Sequence, residues 1–228
     1  SECKLGEFDA KEMKDVGYTA AELRTGGYSA KELKLAGFLP EALKVGGFTI
    51  VDLKGAGFSP SELRDIGCSL ESLLDGGFHA RALKAIGFTA ADFKSHGVMS
   101  GQLREAGFKA EVLMQVGYTA LELRTGGFSA KQLKDVGFSA ETLKSAGYTA
   151  SNLEEVGFSA KDLKDGGYTA EELTTASFDG ADLRLAGLSA SELRSAGLTA
   201  RELKDGGYSN QQLRSAGFPA WKLKEVGL

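Results

Sequence analysis

From Gly17 to Gly227 a glycine stands at every tenth residue, interrupted once, by Ser177. A period this regular along a 228-residue chain has to be read before any other feature, because a repeat array folds by stacking like units and not by burying one central core. The stretch Ser29-Ala30-Lys31-Glu32-Leu33-Lys34-Leu35-Ala36-Gly37-Phe38 shows the unit. An aromatic residue follows most of the glycines, with Cys68, Val98, Leu188, Leu198 and Leu228 as the exceptions. Ser or Thr usually comes next, then Ala, two polar residues, Leu, and Lys or Arg.

Each position has a physical reason if the unit is a short helix. Ser29 is an N-cap that accepts from free donors of the first turn, and Glu32 reaches back to complete a capping box. Tyr28 before the cap and Leu33 in the helix are placed for a hydrophobic staple. Gly37 supplies the left-handed residue that ends a helix, and Phe38 stands where a Schellman motif wants an apolar group against Leu33. One ring thus closes one helix and opens the next. At roughly 100° per residue the phases of Ala30, Leu33, Ala36 and Gly37 share an arc, and Lys31, Glu32, Lys34 and Leu35 take the other side. Pro40 and Pro60 fall at the first helical position, where a missing donor costs nothing; Pro219 stands one place earlier, at the cap.

The reading is therefore an all-α solenoid, a superhelix of about 22 ultrashort helices, one per ten-residue repeat. The chain resembles decapeptide short-helix repeats of the α-solenoid type. It is also similar, more weakly, to pentapeptide-repeat proteins, in having a large apolar residue every five positions (Leu33, Phe38, Leu43, Phe48), which implies the alternative of a right-handed quadrilateral β-helix. That family's inward, small residue two places before the central one is Lys31 or Lys161 here, and a row of buried lysines is too costly.

Helices this short are unstable alone, so each must be held by its neighbours. Residues 1–228 are expected to form a single continuous array. The first block, residues 1–7, is atypical: it carries Gly6 one place early, as a terminal turn or the edge of a fragment of a longer protein. Past the last repeat boundary there is no polar capping unit, as expected of a longer protein or of an end closed by Trp221. Local irregularities are expected at Ser177, at Val98-Met99-Ser100-Gly101 and at Lys109, a cap position with no acceptor.

The net charge of −4 leaves no electrostatic footprint for nucleic acid or an anionic membrane. No apolar run reaches the roughly 20 residues of a membrane-spanning helix, and no signal peptide opens the chain. Cys3 and Cys68 make no disulfide framework, and Cys68, at a core phase, reads as a buried thiol suited to the cytoplasm. His79 and His96 are separated in sequence and neither has a local ligand spacing. No catalytic, cofactor-binding or metal-binding residue is assigned, and no enzyme is expected.

Three rows bear on function. The Lys or Arg after each Leu forms a basic row broken at Leu74, Met114, Glu154 and Thr174; each cation sits in the last turn of its helix, where it favours the dipole. The variable places, such as Lys31, Leu35, Glu41, Val45, Arg81 and Ala85, are where a modular reader would encode a sequence, as some RNA-binding repeats do, and equally where drift at exposed sites gives variation. Apolar residues also stray onto the polar arc at Leu35, Val45, Val51, Leu74, Val112, Met114, Leu121 and Leu185, as scattered exposed side chains, as packing between turns or as a partner surface. The expected role is a non-enzymatic scaffold that binds protein partners through an extended repeat surface. A nucleic-acid-binding array using the basic row, and a passive spacer, are the alternatives.

Overall fold

The computed structural model describes residues 8–225 and residue 227; the atypical first block and Cys3 lie outside them. Twenty-two short α-helices follow one another among the described residues, with no strand, so the quadrilateral β-helix is excluded. Nearly all run from the first to the sixth position of a repeat, as in α3 (Ala30–Leu35), α4 (Pro40–Val45) and α5 (Ile50–Gly55).

The local chemistry explains why six residues suffice. Ser29 Oγ accepts from the Glu32 amide at 3.3 Å while Glu32 Oε2 accepts from the Ser29 amide at 2.8 Å, which satisfies donors at the start of α3. At the other end Phe38 N–H donates to the Leu33 carbonyl at 2.9 Å and Gly37 N–H to the Lys34 carbonyl at 2.9 Å. This is the Schellman pair, made possible by a φ of 82° at Gly37. A helix with few internal hydrogen bonds is thereby bounded at both ends by satisfied groups.

Leu33 is fully buried, as are its counterparts along the chain, and Ala30 and Ala36 are buried with it. Gly37, assigned by the helical wheel to the same arc, is exposed: its left-handed φ carries it off the helical path before it can face the core. Cys68 is buried with a free thiol, in the place of a ring.

Two compact units are described, Ser1–Phe108 and Lys109–Leu228. Inside each, a helix packs chiefly on the helix two places along. In the first unit α3 touches α1 (Ala10–Asp15) and α5, and α4 touches α2 (Ala20–Thr25). In the second, α16 (Ala160–Asp165) touches α14 (Ala140–Ser145) and α18 (Gly180–Leu185), while α17 (Ala170–Thr174) touches α15 (Ala150–Glu154) and α19 (Ala190–Ser195). Helices of one parity therefore form one column and those of the other parity a second, so a turn of the solenoid takes two repeats. The approach is close: a Cβ added at Gly76 would come within 2.3 Å of Ile50 Cγ2. Tyrosines tie successive turns, with Tyr168 Oη donating to the Tyr148 carbonyl at 2.6 Å and Tyr148 Oη to that of Phe128 at 2.8 Å.

The expected irregularities divide. Val98-Met99-Ser100-Gly101 enters α10 (Ser100–Glu105) without distortion, the Met99 amide donating to Gln102 Oε1 at 3.3 Å in place of a hydroxyl-based box. Lys109 makes no side-chain cap, yet α11 (Ala110–Gln115) keeps its full length. Ser177 does alter its turn. No non-glycine residue among those described has positive φ, and the Thr174 and Thr175 hydroxyls donate to the carbonyls of Glu171 and Glu172; the five-residue length of α17 is shared by α15, which precedes the ordinary Gly157.

Candidate interaction surface

The basic row does more than answer its own helix dipole. Lys34 Nζ donates to the Gly57 carbonyl at 2.6 Å, and Lys84 Nζ to that of Gly107 at 2.7 Å. In the second unit Lys144 reaches Gly167 at 2.6 Å and Arg194 reaches Ala216 at 2.8 Å. The cation thus caps the helix two repeats on, where unsatisfied carbonyls concentrate partial negative charge. It also lies over the next ring, as Lys34 does 4.1 Å from the Phe58 centroid and Lys144 4.6 Å from that of Tyr168. A third contact reaches the capping acid beyond: Lys144 Nζ lies 2.6 Å from Glu172 Oε2.

These contacts define a groove between stacked helices, floored by the cation and ring and bordered by the acid. Glu172 and Asp162 are held below the ordinary carboxylate range. For Glu172 the hydrogen bond from Lys144 is the main cause and the Thr169 amide the next; for Asp162 it is the Ser159 hydroxyl, then the Ser159 amide. The buried Tyr168 shifts the other way, pushed up to about 12 chiefly by desolvation.

Three of the four breaks in the row meet an altered target. Leu74 faces Val98, Thr174 faces Leu198, and Glu154 faces Ser177 and Phe178, each pair at the spacing that separates Lys34 from Phe58. The pairing runs one way only: Lys44 and Lys164 keep their cation opposite Cys68 and Leu188, and Lys164 Nζ donates to the Gly187 carbonyl at 2.6 Å. Met114, which faces a normal Gly137-Phe138, is not explained by this pairing. The paired exceptions stand in the sequence at a fixed spacing, but only the stacking shows that the two members of a pair face each other.

Lys31, Leu35, Glu41, Val45, Arg81 and Ala85 are all exposed, as a variable outward face requires. Among the stray apolar residues Leu35 is 81% exposed, Val45 84% and Leu185 71%, with Val51, Leu121 and Val112 also exposed; Leu74 and Met114 are half-buried. Trp221 is 61% exposed beside Lys222, so its indole does not close the end of the array. The two histidines, separated in sequence, line one groove, together with Leu74, Arg81, Val98 and Glu105. No group of three or more potential metal ligands occurs among the described residues, and no helix among them is long and apolar enough to cross a membrane.

No curated protein and no solved structure matches the chain. A family model described as the decapeptide repeat region matches residues 7–71, 47–116, 109–180 and 157–228. These overlapping matches span the repeats from the first ring to the last glycine, and on that ground, with its short helices and glycine turns recurring every ten residues, the chain belongs to the decapeptide repeat family.

Proposed function

We propose that this chain is a non-enzymatic repeat scaffold that binds protein partners along the outward faces of its helices. The observation that carries the reading is a division of labour between positions. Caps, cations and rings hold neighbouring repeats together, whereas the positions that vary from repeat to repeat face solvent and include Leu35, Val45 and Val51, each more than half exposed. Apolar side chains presented on rigid, closely spaced helices suit protein recognition, whose contact cores favour them. The buried Cys68 thiol suits a reducing compartment such as the cytoplasm.

Affinity capture with crosslinking from native lysate tests this, with the triple variant Leu35→Ser/Val45→Ser/Val51→Ser as the control. Partners captured by the parent and lost by the variant are expected; a chain that captures nothing is a passive spacer. The nucleic-acid alternative is disfavoured by the engagement of Lys34, Lys84, Lys144 and Arg194 with carbonyls and rings. Cations already paired release few counterions on meeting phosphate, so no retention of DNA or RNA is expected even at low salt.

A further inference from the structure

The groove floored by cation and ring recurs with the same spacings. At Arg24 its walls include Phe48 and Asp52, and at Lys134 they include Phe158 and Asp162. These two enclose about 420 and 410 Å³, with the chain's own cation 5.6 and 4.7 Å from its own ring centroid. The groove at Leu74 has the same plan, but Val98 replaces the ring and Gln102 the acid, and it encloses about 970 Å³. Cation, ring and carboxylate have been exchanged together. The groove at Thr174, with Leu198 in the ring's place, stays at about 400 Å³, so the enlargement is particular to Leu74 and Val98.

The extra space opens outward. Behind Val98 the core is closed by Phe93, which replaces the usual Leu, is wholly buried, and packs edge-on with its centroid 5.8 Å from Phe108 and 6.5 Å from Phe88. The floor is apolar, from Leu74, Phe78 and Val98, and the rim is polar, from His79, Arg81, His96 and Glu105. Arg81 Nη2 donates to the Glu105 carbonyl at 2.8 Å, which holds the guanidinium at the rim. His96 Nδ1 lies 2.8 Å from the Asp92 carbonyl and 3.0 Å from Ser95 Oγ, contacts that hold the ring at the rim. His79 caps nothing.

We infer that the Leu74–Val98 groove is a socket for an aromatic side chain of a protein partner. Elsewhere the same groove holds a ring with a cation over it; here the ring's place is widened and Arg81 still offers a cation. A ring presents its negative face to the guanidinium and its edges to the apolar floor. The lining carries both signs, Arg81 against Asp75 and Glu105, around an apolar floor, a setting that an uncharged ring can occupy with its face to the guanidinium. The inference rests on the scaffold reading above and adds the chemistry of one contact.

His79 and His96 are the chain's two histidines and both line this groove, so the imidazole resonances report on it without ambiguity. N-acetyl-tryptophanamide and N-acetyl-phenylalaninamide are titrated into the full chain, with N-acetyl-leucinamide as the comparison. Saturable shifts of both imidazoles are expected at roughly millimolar amide, about tenfold weaker for the leucine amide. The refilled variant Leu74→Lys/Val98→Phe/Gln102→Glu is expected to lose the response, as is Val98→Phe alone should the triple variant fold poorly. Equal shifts with the leucine amide, an undiminished response in a folded refilled variant, or no shift up to the solubility limit overturns the proposal. Because the probes are small amides, the socket can fail while partner capture through Leu35, Val45 and Val51 succeeds, and the reverse.

Discussion

The turn at Gly167 and the turn at Ser177 lie one repeat apart, yet they end their helices differently. At the first, Gly167 has a φ of 84°, Tyr168 N–H donates to the Leu163 carbonyl at 3.0 Å, and Lys144 caps the Gly167 carbonyl at 2.6 Å. At the second, a serine avoids positive φ and threonine hydroxyls satisfy the last carbonyls of α17. The residue placed to reach that turn is Glu154, not a cation. What the pair teaches is that where the left-handed glycine is replaced, the cation that would reach its carbonyl is replaced with it.

The comparison can be broken at its core. Leu163→Ala and Leu173→Ala each remove a fully buried side chain and should cost roughly 2 to 5 kcal/mol alike by the core-truncation scale, read from denaturant melts. A markedly smaller loss at Leu173 would mean that the altered turn has loosened the packing beneath it. The turns themselves should diverge. Gly167→Ala, forced into the left-handed region, is expected to cost about 1 to 2 kcal/mol, whereas Ser177→Ala should stay within about 0.5 kcal/mol.

Restoration gives a sharper, smaller effect: Ser177→Gly with Glu154→Lys should gain more than the two single changes summed, by about 0.5 kcal/mol or more in a double-mutant cycle. Additive gains would separate the cation from the turn. Smaller still is the acid response of single caps. Glu172 and Asp162 have folded values lowered below the unfolded ones, so their stabilisation is complete above the ordinary carboxylate range and is lost as pH falls through the lowered values. Thermal melts should therefore be flat near neutrality and fall at acid pH, with Asp162→Asn less sensitive. At the alkaline end Tyr168 acts in the opposite sense, its contribution being complete below the usual tyrosine value near 10 and lost as pH rises through about 12.

The helix of Ser29 to Ala36, its capping box and its glycine stop were all legible, because each is decided within ten residues by groups adjacent in the chain. The prolines confirmed the frame, Pro40 and Pro60 opening α4 and α6 (Pro60–Asp65) at their first residue. What stayed hidden lies between turns. The reach of Lys144 to Gly167 and Glu172, and the meeting of His79 with His96, depend on the two-column stacking, which no local propensity encodes. A trace of it was present as paired exceptions, Leu74 with Val98 and Thr174 with Leu198, but reading them needed the turn length first.

Stacking by twos gives the array a parity. Adding or deleting twenty residues within a unit leaves every later helix in its own column, whereas adding or deleting ten moves all of them across. Most repeats are interchangeable and would tolerate either. The matched exceptions would be parted: removing one decapeptide between Leu74 and Val98 would set that leucine opposite Phe108, as Met114 stands opposite Phe138. Such pairs keep a record of how many repeats separate them, so growth by duplication is freest where the pattern is most monotonous and most constrained where it has drifted.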